Sequence, residues 1–192
     1  MFDSSYFTDP LAFLVQVTFG FYVLVVVLRF LLQVLRADFY NPLSQFVVKL
    51  TTPVLRPLRR VIPGLWGLDV ASIALAWVLA AIELGLLAAI LGASFPALAP
   101  LAWAVPELLA LVLNIFLFAV IAQALLSWVN PDPYSPASVV LRDLTRPVLQ
   151  PLRRLVPPLG GFDLTPMLAA VALVLAKMLI VPPLARLTGS PF

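Results

Sequence analysis

The chain has 192 residues, 62% of them hydrophobic and only 11% charged, with a mean hydropathy of +1.08 and a net charge of +3. A soluble domain carries about 25% charged residues, so this chain could not cover its surface in water, and bilayer lipid must be its solvent. Cysteine and histidine are both absent; this excludes disulfides and zinc–sulfur sites, removes the usual general base and haem ligand, and leaves no cofactor expected.

The first ten residues, MFDSSYFTDP, carry Asp3 and Asp9 and no basic residue, unlike the positive start of a secretory signal. A span needs about 20 apolar residues at 1.5 Å each, so residues 11–34 are expected to form the first transmembrane helix. Leu43, Phe46, Val47 and Leu50 follow at i, i+3, i+4 and i+7, the pattern of a short amphipathic helix in the membrane interface, over 43–52. Pro53 and Pro57 then argue against a continuous helix. The chain is expected to turn or extend there and present Arg59 and Arg60. Residues 70–91 form the second span, interrupted only by Glu83. Asp69 stands just before it, where a carboxylate can accept orphan N–H groups as a helix cap.

Residues 92–105 are uncharged. The third span is expected over 106–129, with Pro106 at the first helical position and Glu107 at the positive end of the dipole. Ala137, Val140, Leu141 and Leu144 mark a second amphipathic helix over 137–146, followed by Pro147, Pro151, Arg153 and Arg154. Asp163 stands before the fourth span, 164–181, again as a cap. That span carries Lys177, has an irregular first turn at Pro166, and is expected to stop at Pro182 and Pro183.

Orientation follows from the loops. Arg36, Lys49, Arg56, Arg59 and Arg60 separate spans one and two, and Arg142, Arg146, Arg153 and Arg154 separate spans three and four. Positive loops stay in the cytoplasm. Both basic loops are therefore expected on the cytoplasmic side of a bacterial inner membrane, with both termini outside; Arg186 is the lone dissent. Trp66 and Trp128 fall at the inner interface and Trp103 at the outer one, as an aromatic belt would have it.

The stretch PVLRPLRRVIP at 53–63 returns as PVLQPLRRLVP at 147–157, 94 positions later. The same shift pairs Tyr40 with Tyr134, Leu50 and Thr51 with Leu144 and Thr145, Gly67 with Gly161, and Asp69 with Asp163. Two units result, 1–98 and 99–192, each helix, amphipathic basic loop, helix. Both start outside, so the fold class is an all-α membrane protein of four transmembrane helices in two parallel repeats about a pseudo-twofold axis along the membrane normal.

Arg59, Arg60, Arg153 and Arg154 can act simply as topology determinants and snorkelling anchors. They can also hold anionic lipid head groups on the cytoplasmic side, or dock a membrane-protein partner. For Asp69 and Asp163 the alternative to capping is an ion pair with Arg60 or Arg154. Ionisable residues inside a membrane are usually functional, and the shift places Glu83 opposite Lys177. Small residues on the matching faces, Ala76 and Ala80, let helices approach. An ion pair between Glu83 and Lys177 is expected, either fixing the two halves together or lining a polar path. Arg29 can snorkel to the inner interface. Gln16, Gln33, Asn114 and Gln123 are expected to bond between helices.

The doubled pattern resembles the YggT family of bacterial and plastid membrane proteins. The residues that carry the resemblance are Asn41-Pro42 with TTPVLRPLRRVIPGLWGLD in the first unit, and SWVNP at 127–131 with TRPVLQPLRRLVPPLGGFDLTP in the second. The first unit departs where Asp69 is followed by Val-Ala-Ser instead of Leu-Thr-Pro. The resemblance implies a small integral membrane protein without established catalysis, linked to osmotic or ion stress, to cell division and nucleoid organisation, and in plastids to assembly of a b-type cytochrome. Without His or Cys, that last role cannot involve direct haem ligation here.

Three functions compete. The leading one is a non-enzymatic membrane scaffold or accessory factor, with lipids, a membrane-protein partner or a second copy as its contacts and no nucleic acid. The second is an ion channel or transporter with Glu83 and Lys177 in its path. The third is an enzyme using Asp69 and Asp163 as an aspartic-type dyad, which their places before two different helices argue against.

Overall fold

The computed structural model describes residues 5–65, 67–129, 132–155 and 163–191. Among them are six helices and no strand: α1 (Ser5–Val34), α2 (Pro42–Val61), α3 (Val70–Ile90), α4 (Ala99–Val129), α5 (Pro136–Leu155) and α6 (Thr165–Thr188). Four of these, α1, α3, α4 and α6, are long and apolar enough to cross a membrane. Trp66, Asn130 and Pro131 of the SWVNP motif, and Pro157 and Gly161 of the second repeat lie outside the described residues.

Three of the spanning helices, α1, α3 and α6, end for a local reason. After α1, Ala37 N–H bonds back to Leu32 C=O at 2.9 Å, with Arg36 left-handed at φ +53°. This six-to-one closure satisfies orphan carbonyls and usually employs glycine. α3 and α6 close in the same way at Gly92 and Gly189, which do supply that glycine. The fourth span therefore does not stop at Pro182 and Pro183: α6 runs through both to Thr188. The two prolines are exposed, so their rings lie away from the packed face. α4 begins at Ala99, leaving Pro106 and Glu107 about two turns inside it rather than at its start.

The amphipathic helices are also longer than the prolines imply. α2 continues through Pro53 and Pro57 to Val61, and α5 through Pro147 and Pro151 to Leu155. Proline removes one helical hydrogen bond and crowds the preceding turn, at about 3 kcal/mol. In each helix the two prolines are four residues apart and exposed, so both disruptions fall on one outer side. The inner side stays regular, where Ser44, Val47, Thr51 and Leu55 of α2 are buried against the spans. The helix survives because its buried face compensates for its outer one.

Each half packs alike: α1 on α3 and α4 on α6, with α2 and α5 lying across α1 and α4. The halves join through α3 and α4. Ala76, Ala80, Ala81, Leu84 and Ala88 of α3 share one core with Trp103, Ala104 and Ile115 of α4. Gly85 lets Pro100 approach; a Cβ there would sit 3.3 Å from the proline ring. Trp103 thus belongs to this core, tilted against Phe95 with ring centroids 5.3 Å apart, rather than to an outer belt. The junction is one-sided, since α6 makes no matching contact with α1. α2 and α5 touch at one end of the bundle, where Asn41 Nδ2 donates to Pro136 C=O at 2.8 Å.

Continuity of α2 turns Leu55 inward, fully buried, and leaves Val54 exposed. Leu55→Ala is expected to destabilise the protein by about 2–5 kcal/mol, and Val54→Ala by well under 1 kcal/mol. Thermal unfolding in detergent checks the contrast; equal effects would mean the chain unwinds at Pro53.

Candidate functional site

The 94-residue shift superimposes one polar constellation in each half. Its members come from four places: the C-terminal part of the first span, the buried face of the amphipathic helix, that helix's last turn, and the residue before the next span.

In the first half Arg29 of α1 is 7% exposed and reaches into α2. Its Nη1 donates to Thr51 Oγ1 at 2.6 Å, to Val48 C=O at 3.0 Å and to Thr52 Oγ1 at 3.1 Å. Thr51, itself fully buried, donates its hydroxyl to Val47 C=O at 2.8 Å. Arg29 is therefore not a snorkelling residue; it is a buried pin between span and interface helix. In the second half the equivalent residue is Gln123, whose Oε1 accepts from Thr145, while Thr145 also bonds Leu141 C=O at 2.8 Å. The pin is kept and the charge is not.

The paired arginines divide their work. Arg59 is fixed on Asp69, through Nε–Oδ1 at 3.2 Å and a second contact from Nη2 to Oδ2. Arg153 is fixed on Asp163, with Nε and Nη2 at 3.2 and 3.1 Å from Oδ2. Arg60 and Arg154, a helical step of about 100° away, are exposed and form no ion pair among the described residues. The ion-pair partner is thus the first arginine of each doublet, not Arg60 or Arg154.

The two aspartates differ as caps. Asp163 Oδ1 accepts from Thr165 N–H at 3.0 Å, at the start of α6. Asp69 occupies the cap position of α3 but takes no helix N–H on its side chain; the Ser72 hydroxyl bonds it instead. Burial pushes the Asp69 carboxyl upward, yet the hydrogen bonds from Arg59 and Ser72 outweigh it and hold the group below the ordinary carboxylate range. Asp163 moves the same way, with burial opposed by Thr165 and Arg153. The carboxylates serve separate helices and separate arginines, which gives an aspartic-type dyad no support.

Glu83 and Lys177 do not meet. α3 and α6 make no contact, because the halves join through α3 and α4 and leave α6 on the far side of α4. Lys177 Nζ instead donates to Asn114 Oδ1 of α4 at 2.9 Å, within its own half. Glu83 lies toward α1, its Oε1 3.6 Å from where a side chain at Gly20 would begin.

Each constellation also walls a cavity. The first, about 480 Å³, is lined by Arg29, Gln33, Phe39, Arg59, Gly67 and Asp69. The second, about 660 Å³, lies among α4, α5 and α6 and includes the equivalents Gln123, Arg153 and Asp163, with Leu125, Trp128 and Met167 making it mainly apolar. The signal that could have found the site was in the repeat: position 29 aligns with 123, and Thr51 with Thr145.

A family model described as CCB3/YggT matches the chain twice, over residues 8–90 and 102–184. An uncharacterized protein of Pseudomonas aeruginosa, PA0392, is 42% identical over 181 residues, covering 93% of this chain and 92% of the relative. An uncharacterized Vibrio alginolyticus protein is 38% identical over 175 residues, covering 90% and 94%. The uncharacterized protein YggT of Escherichia coli K12 is 38% identical over 172 residues, covering 88% of each chain. No solved structure matches.

Because the folded Asp69 carboxyl titrates below its unfolded counterpart, its stabilisation is full at neutral pH and is lost as pH falls through the folded value. Asp69→Asn is expected to lower stability by about 1–2 kcal/mol at pH 7, a figure reduced by the partial exposure of Arg59. The gap to wild type should close in acid. Thermal unfolding in detergent from pH 7 to pH 3 measures it, and a gap that widens in acid would contradict the assignment.

Proposed function

The chain belongs to the CCB3/YggT family, and from that membership and its paired interface helices we propose that it is a non-enzymatic scaffold or accessory protein of the bacterial inner membrane. In this reading α2 and α5 form one basic platform on the cytoplasmic face, which holds anionic head groups and presents a surface to a membrane-protein partner or a second copy. Roles in envelope or osmotic stress, cell division or assembly of a membrane complex all suit such a device.

One observation carries the reading: the three-sided build of α2. Ser44, Val47, Thr51 and Leu55 face the protein. Leu43, Phe46, Leu50 and Val54 form a second, exposed apolar stripe. Gln45, Lys49, Arg56 and Arg60 form a third, exposed and polar. At 100° per residue these sectors are adjacent. A helix so divided sits at the boundary of protein, acyl chains and water, and its basic side meets anionic phosphates at about 1 kcal/mol per residue. α5 keeps the basic side with Arg142, Arg146 and Arg154, while Val140 and Leu144 are buried. The transport reading is weaker without its Glu83–Lys177 pair, since Lys177 is held by Asn114.

Proteoliposomes containing the protein are expected to pass no K⁺, Na⁺ or H⁺ faster than protein-free vesicles. A flux that Glu83→Gln alters, in a variant that remains folded, would replace the scaffold with a transporter. The chain contains no cysteine, so single cysteines report topology cleanly. Arg60→Cys and Arg154→Cys should react with a membrane-impermeant maleimide only from the cytoplasmic side, and Ser94→Cys only from outside. The reverse pattern would invert the orientation.

A further inference from the structure

We propose that the cavity of the first half is a binding site for one phosphate group, as a phosphomonoester or phosphodiester, with Arg29 as its anchor. The location rests on the cavity alone; only the expectation that the phosphate belongs to an anionic lipid rests on the platform reading above.

The charge balance motivates it. Arg29 lies in a membrane-spanning helix, where an ionised group needs a counter-charge or dense hydrogen bonding. All of its hydrogen bonds leave from Nη1 and end on neutral oxygens of α2. No carboxylate among the described residues forms an ion pair with it. The acid on the cavity wall, Asp69, is occupied by Arg59 through both of its oxygens and by Ser72 as well. The lining therefore holds two guanidinium groups against one carboxylate. A guanidinium is a planar fork suited to two oxygens of one phosphate. Arg29 is already oriented by Thr51 and Thr52, so little freedom is left to lose on binding. Gln33, whose amide donates to Gly67 C=O at 3.3 Å, sets a polar wall beside it.

Depth and size fit the same ligand. The cavity lies where α2 crosses the end of α1, at the level of the interface helices, and its volume of about 480 Å³ admits a head group rather than an ion alone. Phe39 gives it an apolar edge. The second half supplies an internal control. Its cavity keeps Arg153 and Asp163 but has Gln123 in place of Arg29, so its named lining charges cancel. One site is therefore expected at this position of the repeat; the open cleft along α5, where Arg142, Arg146, Arg153 and Arg154 surround Asp143, is a separate basic surface whose binding Arg29→Gln leaves unchanged.

The test is binding to the purified, delipidated full chain in a neutral detergent, read by native mass spectrometry and by thermal shift. The ligands are phosphatidylglycerol, phosphatidylcholine and inorganic phosphate. One equivalent of phosphatidylglycerol should bind saturably, at least tenfold more tightly than phosphatidylcholine, whose choline neutralises its own phosphate. Arg29→Gln, which copies the second half, should weaken phosphatidylglycerol at least tenfold. Should Arg29→Gln not fold, Gln33→Glu provides the same answer. It is nearly isosteric at a half-buried position, places a carboxylate at the cavity in place of the amide that donates to Gly67, and, in a variant whose helicity matches wild type, should weaken phosphatidylglycerol at least tenfold. Inorganic phosphate competing at equal concentration, with the same loss in the variants, upholds the site and assigns it a soluble anion. Phosphatidylglycerol binding that is unsaturable, or equal in wild type and in the folded variants, overturns the proposal. That failure would leave the scaffold reading standing, because flux and topology do not depend on Arg29.

Discussion

Inside a bilayer no water remains to satisfy a polar group, so a buried donor or acceptor is costly unless it finds its partner within the protein. The two crossing points, Thr51 with Arg29 and Thr145 with Gln123, are this constraint in its sharpest form. Each threonine is buried where an interface helix lies across a spanning helix. Each hydroxyl bonds its own helix on one side and the span on the other. Without such a pin α2 would be a helix resting on lipid. With it, α2 is docked at a fixed angle and register, and Arg59 is delivered to the residue that opens α3. The prolines, the arginine doublet and the aspartate of the repeated motif become intelligible from that docking.

The proline spacing is one consequence. Two prolines four residues apart weaken one side of a helix and leave the other intact. That side faces outward in both α2 and α5, where head groups and water can meet the freed carbonyls. The buried side carries Thr51 and Leu55, or Thr145 and Leu149. Past the second proline the first arginine of each doublet turns in to its aspartate, while the second stays exposed. The motif is a bracket: it ties the end of the amphipathic helix to the start of the next span and leaves the second arginine of the doublet exposed.

The halves repeat in sequence but differ in environment. α3 is flanked by α1 and α4, whereas α6 packs on α4 and α5 and has no counterpart of the α3–α4 contact. Positions equivalent under the shift consequently have different neighbours, and their side chains have diverged. Ala81 and Ala88 lie on the Gly85 side of α3, where α4 packs against it, and are small, while Leu175 and Pro182 of α6 are larger and exposed. Arg29 against Gln123 is the same kind of divergence at a polar position: one half has retained a buried cation beside a cavity, and the other a neutral amide beside an apolar one.

Much of this was legible in one dimension. Four apolar runs, the exact register of the repeat and the periodicity of residues 43–50 all report local physics: the length needed to cross a bilayer, and the faces of a helix. Those features need no knowledge of neighbours, and the helices stand where they indicate, apart from their ends. The ends escaped because proline is read as a breaker whenever its surroundings are unknown. Whether Pro53, Pro57, Pro106 or Pro182 stops a helix depends on what its opposite face buries. The Glu83–Lys177 pairing failed for a related reason. Equivalence under a shift places two residues at the same depth, but contact also requires that their helices be neighbours, and only the packing of α3 on α4 decides that. Arg29 is the clearest case. In the sequence it is a charge near the end of a span; its burial, its three oxygens and the cavity beside it come into being only when α2 folds back across α1.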